Sequence, residues 1–143
     1  MRELGRKLGD MEYDGLITDL TPKPQVRGGT IAKLTTATLY KRGTLLAKSS
    51  ISGKLVILGT EAAPAKEAAE GQPAVPAETL IPDCILCDDT EVGTTEDVKV
   101  ATYTAGCFDP GKVTTAKDYT ITEGDKDNLR MRNIVFKAAA PAT

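Results

Sequence analysis

The segment VKVATYTAGCF at 98–108 sets Val98, Val100, Thr102 and Thr104 on one side of an extended chain and Lys99, Ala101, Tyr103 and Ala105 on the other. A two-residue period belongs to strands, and the Val, Thr and Tyr content favours a pleated surface. A strand cannot stand alone, so the rest of the chain must supply partners for both of its edges. The candidates are short and bounded by turn residues. TIAKLTTATLY at 30–40 reads as one strand. TLLAKS at 44–49 and KLVIL at 54–58 flank Ser50, Ser52 and Gly53 and read as a β-hairpin. DCILCD at 83–88 and NIVFK at 133–137 add two more, and Asp109-Pro110-Gly111 makes a turn. One short helix is expected at 126–132, capped by Asp125. The fold class is therefore mainly β, a compact domain with one or two short helices.

Two stretches stand apart. Residues 61–78, EAAPAKEAAEGQPAVPAE, consist largely of Ala, Pro and Glu and carry no apolar face. They read as an exposed insertion between strands and not as an interdomain linker. Residues 1–29 are broken by Pro22 and Pro24, which disfavour helix, so this part reads as an extended N-terminal arm that orders against a partner. Its first ten residues read as mobile. The expected organisation is an arm at 1–29, a β domain at 30–137 and a disordered tail at 138–143. With no Trp and 4% aromatics, the core must be aliphatic, and oligomerisation offsets a modest core.

The chemistry-bearing residues are few. The chain has no histidine, which removes the commonest general base, the His-dependent triads and the usual zinc sites. Gly28-Gly29 is an isolated pair, short of a phosphate-binding loop. Cys84 and Cys87 form a CxxC, but Ile85 and Leu86 between them read as strand, where residues three apart face opposite ways. Asp83, Asp88 and Asp89 disfavour a thiolate there, so buried thiols are expected, and no metal or cofactor. Asp88, Asp89 and Glu91 lack the spacing of a calcium loop and read as a solvated turn. A net charge of −2, with Arg130 and Arg132 as the densest basic spot between Lys126 and Lys137, gives no expectation of nucleic-acid binding. No apolar run follows the early charges Arg2, Arg6 and Lys7, so neither a signal peptide nor a membrane span is expected. Three cysteines then default to reduced thiols.

Four blocks resemble the phage lambda-type head decoration proteins, the capsid-stabilising protein D family. YKRGTLLAKSSISGKLVIL at 40–58 is similar to that family's hairpin, with Lys41-Arg42-Gly43 leading into its first strand. DCILCDDTEV at 83–92, VKVATYTAGCF at 98–108 with its Gly106-Cys107-Phe108 ending, and LRMRNIVF at 129–136 follow in the family's order. Together they span about two-thirds of the chain, from Tyr40 to Phe136. Asn133 stands where the family usually has Gly, Cys107 where an acidic residue is common, and the insertion is long.

The resemblance implies a β-clip or β-tulip-like fold and a non-enzymatic capsid protein. Such a protein sits as a homotrimer on the outer surface of the expanded phage head, stapling major capsid protein subunits against internal DNA pressure. It is made in the host bacterial cytoplasm and has no small-molecule substrate. The arm residues expected to dock are Tyr13, Leu16, Ile17, Leu20, Pro22, Pro24 and Val26. Arg130, Arg132 and Phe108 are the expected trimer or capsid contacts. The competing expectations are another virion module, of tail or spike, and a small CxxC thiol or metal protein.

Overall fold

A computed structural model of the chain describes residues 14–138. Tyr13, the mobile segment expected at 1–10 and all but the first residue of the expected tail lie outside them. The elements are β1 (Ile17–Asp19), β2 (Gln25–Ile31), β3 (Thr38–Tyr40), β4 (Leu45–Ser49), β5 (Leu55–Ile57), β6 (Leu80–Leu86), β7 (Thr90–Val92), β8 (Val98–Phe108), α1 (Glu123–Met131) and β9 (Ile134–Phe136). The protein is mainly β, with a small, compact, barrel-like sheet.

β8 is the spine. Its first part pairs antiparallel with β2, from Ile31↔Val98 to Gln25↔Ala105, while Ile85↔Tyr103 and Leu86↔Thr102 bring β6 onto its other edge. Its last residues lie between β1, antiparallel, and β9, parallel. The hairpin of β4 and β5 forms as expected, with Leu46↔Ile57, Ala47↔Val56 and Lys48↔Leu55 in register. β4 also pairs β6, and β5 meets β2 at Ile31↔Leu55, so five strands close a ring in the order β8–β2–β5–β4–β6.

The ring has apolar residues on both faces. Ile31, Leu46, Leu55, Cys84 and Leu86 pack together with Val98 and Val100, a cluster that draws on all five ring strands and therefore fills the interior. Tyr40 of β3 and Val92 of β7, two strands that pair only with each other, belong to the same cluster. On the outer face Leu45, Ala47, Ile85 and Phe108 pack with Leu129 of α1, Ile134 of β9 and Leu16.

Several expectations are corrected. Residues 30–40 are not one strand. β2 starts five residues earlier, at Gln25, and ends at Ile31, where Ala32 N–H donates to Leu55 O and Lys33 N–H to Asp97 Oδ1. Those bonds turn the chain out of the ring before β3 begins. The expected boundary at residue 29 thus falls inside a strand. Leu16 is not an arm residue free to dock, because it is buried in the outer core, and Asp109 N–H donates to its carbonyl. Phe108 is fully buried, its ring 5.4 Å from that of Tyr103, and is no surface contact. The helix begins at Glu123 with Thr122 as its cap. Asp125 is the third helical residue and completes a capping box by accepting from Thr122 N–H.

The motif residues have structural work. Gly43 has φ +96°, and a Cβ there would come within 2.7 Å of the Lys112 carbonyl oxygen. Beside it the Arg42 guanidinium donates to Asp14 Oδ2 (2.8 Å), to Cys87 O (2.9 Å) and to the Tyr103 hydroxyl (2.6 Å). Asn133 ends the helix at φ +65°, a left-handed position that Asn tolerates next best after Gly.

Leu16→Ala is expected to cost about 3 kcal/mol, as for other fully buried leucines. Leu20→Ala, at a position 75% exposed, is expected to stay within about 0.5 kcal/mol. Urea denaturation of the two variants checks this. Equal and small effects would return residue 16 to a free arm.

Candidate interaction face at the barrel mouth

β2 and β5 share one register pair, at Ile31 and Leu55. From Gln25 to Thr30 the β2 edge facing away from β8 therefore has no strand beside it among the described residues. Where the ring gapes, a cleft of about 310 Å³ opens at the end of the inner face. Arg27 and Gly29 line it from β2, Lys48 from β4, Leu55 from β5, Thr102 from β8 and Arg132 from the end of α1. A Cβ at Gly29 would lie 2.7 Å from Leu55 Cδ1, so the absent side chain leaves Leu55 its place against the strand.

Charge in the cleft is uneven. Arg132 Nε reaches Asp83 Oδ1 at 3.5 Å, and both groups line the wall. The Arg27 and Lys48 side chains have no hydrogen-bond or ion-pair partner among the described residues. Thr102 is buried, and its hydroxyl donates to Arg27 O on the β8 side of β2.

Exposed apolar side chains gather in the adjoining residues. Ile81 lies opposite Lys48 in register, Met131 precedes Arg132, and Ile51 sits in the turn that brings Gly53 to the cleft, whereas Val26, next to Arg27 on β2, faces the other side of the strand with its register partner Tyr103. Ile81, Met131 and Ile51 are three of the seven large exposed apolar residues among the described residues. A concave site with unpaired cations, an open strand edge and apolar residues around it is suited to holding another protein segment.

The insertion rises from the same end. Residues 61–77 are all exposed, as expected of them. They are nonetheless ordered as a narrow hairpin. Glu78 N–H donates to Ala63 O, Lys66 and Val75 exchange both backbone bonds, and so do Ala69 and Gln72. The rungs fall at every third residue on each side, where a β-ladder would repeat every second. Three residues per turn is the period of polyproline II. Pro64, Pro73 and Pro76 each follow a rung residue, so no proline occupies a position that must donate. Glu78 ties the base down. Its Oε1 accepts from Ala63 N–H at 3.0 Å and its Oε2 from the Ser49 hydroxyl at 2.5 Å. Thr79 N–H to Ser50 Oγ adds a second anchor.

The expected site residues divide. Leu16 and Ile17 pack into the core, while Leu20 and Val26 are exposed, and Pro22 (after a cis peptide bond) and Pro24 are half-buried. Arg132 stands in the cleft wall. Arg130 is on the exposed side of α1, bonded to Asp127, and Phe108 is in the core. The structure thus places Arg132 in the cleft wall, turns Val26 to the opposite side of β2, and leaves the others elsewhere. Sequence reading missed Arg27, Lys48, Ile81 and Met131. The available signal was Gly28-Gly29, since glycine inside a strand marks a bulge, a bend or a close approach.

Cys84 and Cys87 are buried and free. Burial pushes the Cys84 thiol far above its ordinary range, with Asp83 adding to it. Burial and then Asp88 push Cys87 to about 11. Both are protonated near neutral pH, the reverse of an activated thiol pair. Among the described residues no three His, Cys, Asp or Glu side chains converge as metal ligands. The acidic turn is structural in part, as Asp89 Oδ1 accepts from Arg42 N–H at 2.7 Å.

No protein-family model matches the chain, and no curated protein matches it.

Two outcomes follow from these groups. A thiol reagent at neutral pH is expected to leave Cys84 and Cys87 unreacted in the folded protein and to titrate them on denaturation. Rapid reaction of either without unfolding would mean the thiols are active. The Ser49 hydroxyl, and then Ala63 N–H, hold the Glu78 carboxyl below its ordinary pKa. Its contribution is therefore complete above the usual carboxylate range, near pH 4, and is lost as pH falls through the lowered value. Glu78→Gln is expected to flatten the acid limb of the stability–pH curve and to leave stability at neutral pH less changed than Leu16→Ala does.

Proposed function

We propose that this chain is a capsid decoration protein, binding as a trimer to the outside of an expanded phage head and joining neighbouring major capsid subunits. The observation that carries the reading is the concentration of exposed apolar residues, unpaired cations and an open strand edge on one face of a small rigid β domain. Such a face suits a protein that works by contact. The four blocks on which the resemblance rests also make physical sense where they fall. Arg42 and Gly43 fix the turn that closes the hairpin onto Asp14 and Tyr103, β8 is the spine, and Asn133 takes the left-handed turn into β9.

In this reading the docking role passes from the whole of residues 1–29 to a smaller set. Leu16 and Ile17 hold the outer core, so Leu20 and Val26 are the apolar contacts offered to a capsid surface, with residues 1–13 before them. Repetition over many symmetry-related sites gives avidity to contacts that are individually small. Chemistry has little to work with, given the absence of histidine and the protonated thiols.

The test is cosedimentation of the purified chain with empty expanded heads, unexpanded heads and isolated tails. Binding is expected to expanded heads alone. A double change of Leu20 and Val26 to Asp is expected to weaken it at least about tenfold, in line with loss of interface anchors. Truncation must stop before Asp14, because deletion as far as Thr30 removes Leu16 and β2 and tests folding instead. Failure of the full chain to bind expanded heads overturns the proposal, and binding to tails would assign a different virion role.

A further inference from the structure

We infer that the insertion hairpin of one copy seats its acidic face in the basic cleft of another. The inference deepens the reading above, resting on its self-association and naming the contact that provides it. The three-residue period sorts the hairpin side chains into columns. Pro64 and Glu67 on the outgoing side, and Pro73 and Pro76 on the returning side, each follow a rung residue, and Glu70 stands at the tip, in the turn that the Ala69–Gln72 rung closes. An antiparallel pair has a local two-fold axis perpendicular to its plane, so Pro64, Glu67, Pro73 and Pro76 share one face. Lys66 falls in the rung column, off that face. Glu67 and Glu70 are exposed and have no partner among the described residues.

The complementary charges are Arg27 and Lys48, the cleft cations that also lack partners. A copy cannot satisfy itself. Its hairpin is anchored at Ser49 and Ser50, beside its own cleft, yet none of residues 61–78 lines that cleft. The stiff ladder and the Glu78 anchor hold the acidic face out in solvent, which lowers the ordering cost of docking elsewhere. Each copy thus offers one hairpin and one cleft, a head-to-tail arrangement that closes into a ring when the rotation allows. The cations meet carboxylates across a part-desolvated cleft, where opposite charges govern which partner fits.

Light scattering of the full chain over a concentration series tests this. E67K/E70K lies wholly on exposed positions and keeps the fold. It is expected to shift association toward monomer by at least about tenfold, as is R27E/K48E, through like-charge contact. In a three-membered ring an equimolar mixture of the two variants leaves at least one like-charge contact, but the four changes combined in one chain re-pair every contact and are expected to restore the mass. High salt is expected to dissociate the wild type and the four-change chain alike. A monomeric wild type overturns the inference, as does an unchanged mass for E67K/E70K. Calorimetry with inorganic phosphate covers the other occupant: phosphate binding lost in R27E/K48E, with association indifferent to the hairpin, would make the cleft an anion site and end this proposal. Head binding measured on the same samples separates the two readings. Variants that keep their mass and bind heads overturn the contact alone, whereas the expected charge-swap behaviour without head binding overturns the capsid role alone.

Discussion

β8 must satisfy two edges over eleven residues, and the rest of the fold follows from how it does so. No single neighbour here is long enough. β2 and β1 divide one edge, β6 and β9 the other, and the handover on each side is where the sheet bends. The register shifts beside Ala105 as β2 begins, and Gly106 follows at φ +147° with a Cβ position only 2.8 Å from Phe108 Cζ. A side chain there would press on the buried ring. The bend lets β8 serve the ring with its first part and the helix-covered outer core with its last. Phe108 and Ile134 fill the second; Val98 and Val100 border the first.

This division explains why an aliphatic chain suffices. Both faces of the ring are covered, so most ring strands bury residues on both sides and the cores share one wall. The Arg42 network fixes that wall from outside the apolar region. Its guanidinium bridges the start of the described chain at Asp14, the β6 exit at Cys87 and the spine at Tyr103, over whose ring it also lies at 5.3 Å. Lysine carries its donors on a single nitrogen and lacks the planar fork that reaches all three. The Lys-Arg-Gly turn is thus held by a requirement of the fold, independent of any partner.

Much of the fold was legible because period-two patterning and turn chemistry are local. Val98–Phe108 and the β4–β5 hairpin read correctly from the residues alone, and so did exposure of the insertion. The failures share a cause. Leu16 looked like part of a proline-broken arm, yet long-range pairing of β1 with Phe108 draws it into the core. Ile31 looked like the second residue of a strand and is the last, since the Asp97 side chain, sixty-four residues beyond Lys33, takes the Lys33 N–H and turns the chain away. Phe108 looked like a contact because a large apolar residue before a turn has no burial label in the sequence. The cleft was illegible for the same reason: Arg27, Lys48 and Arg132 are far apart in the chain, and only ring closure gathers them.

The opening beside β2 is also a problem the fold has to contain. An exposed strand edge recruits other strands, and proteins usually blunt it with charge, proline or a cover. Here Pro24 precedes the edge and Arg27 lies on the strand. Gly28 and Gly29 weaken it further, since glycine lowers strand preference. These devices suppress indiscriminate pairing but leave the cations and the apolar residues around them uncovered. A hairpin whose own backbone is already paired, and which therefore contacts through side chains, is the kind of occupant that such an edge admits without being extended by it. The same features that keep the domain from aggregating through β2 therefore select for a side-chain-mediated partner at its mouth.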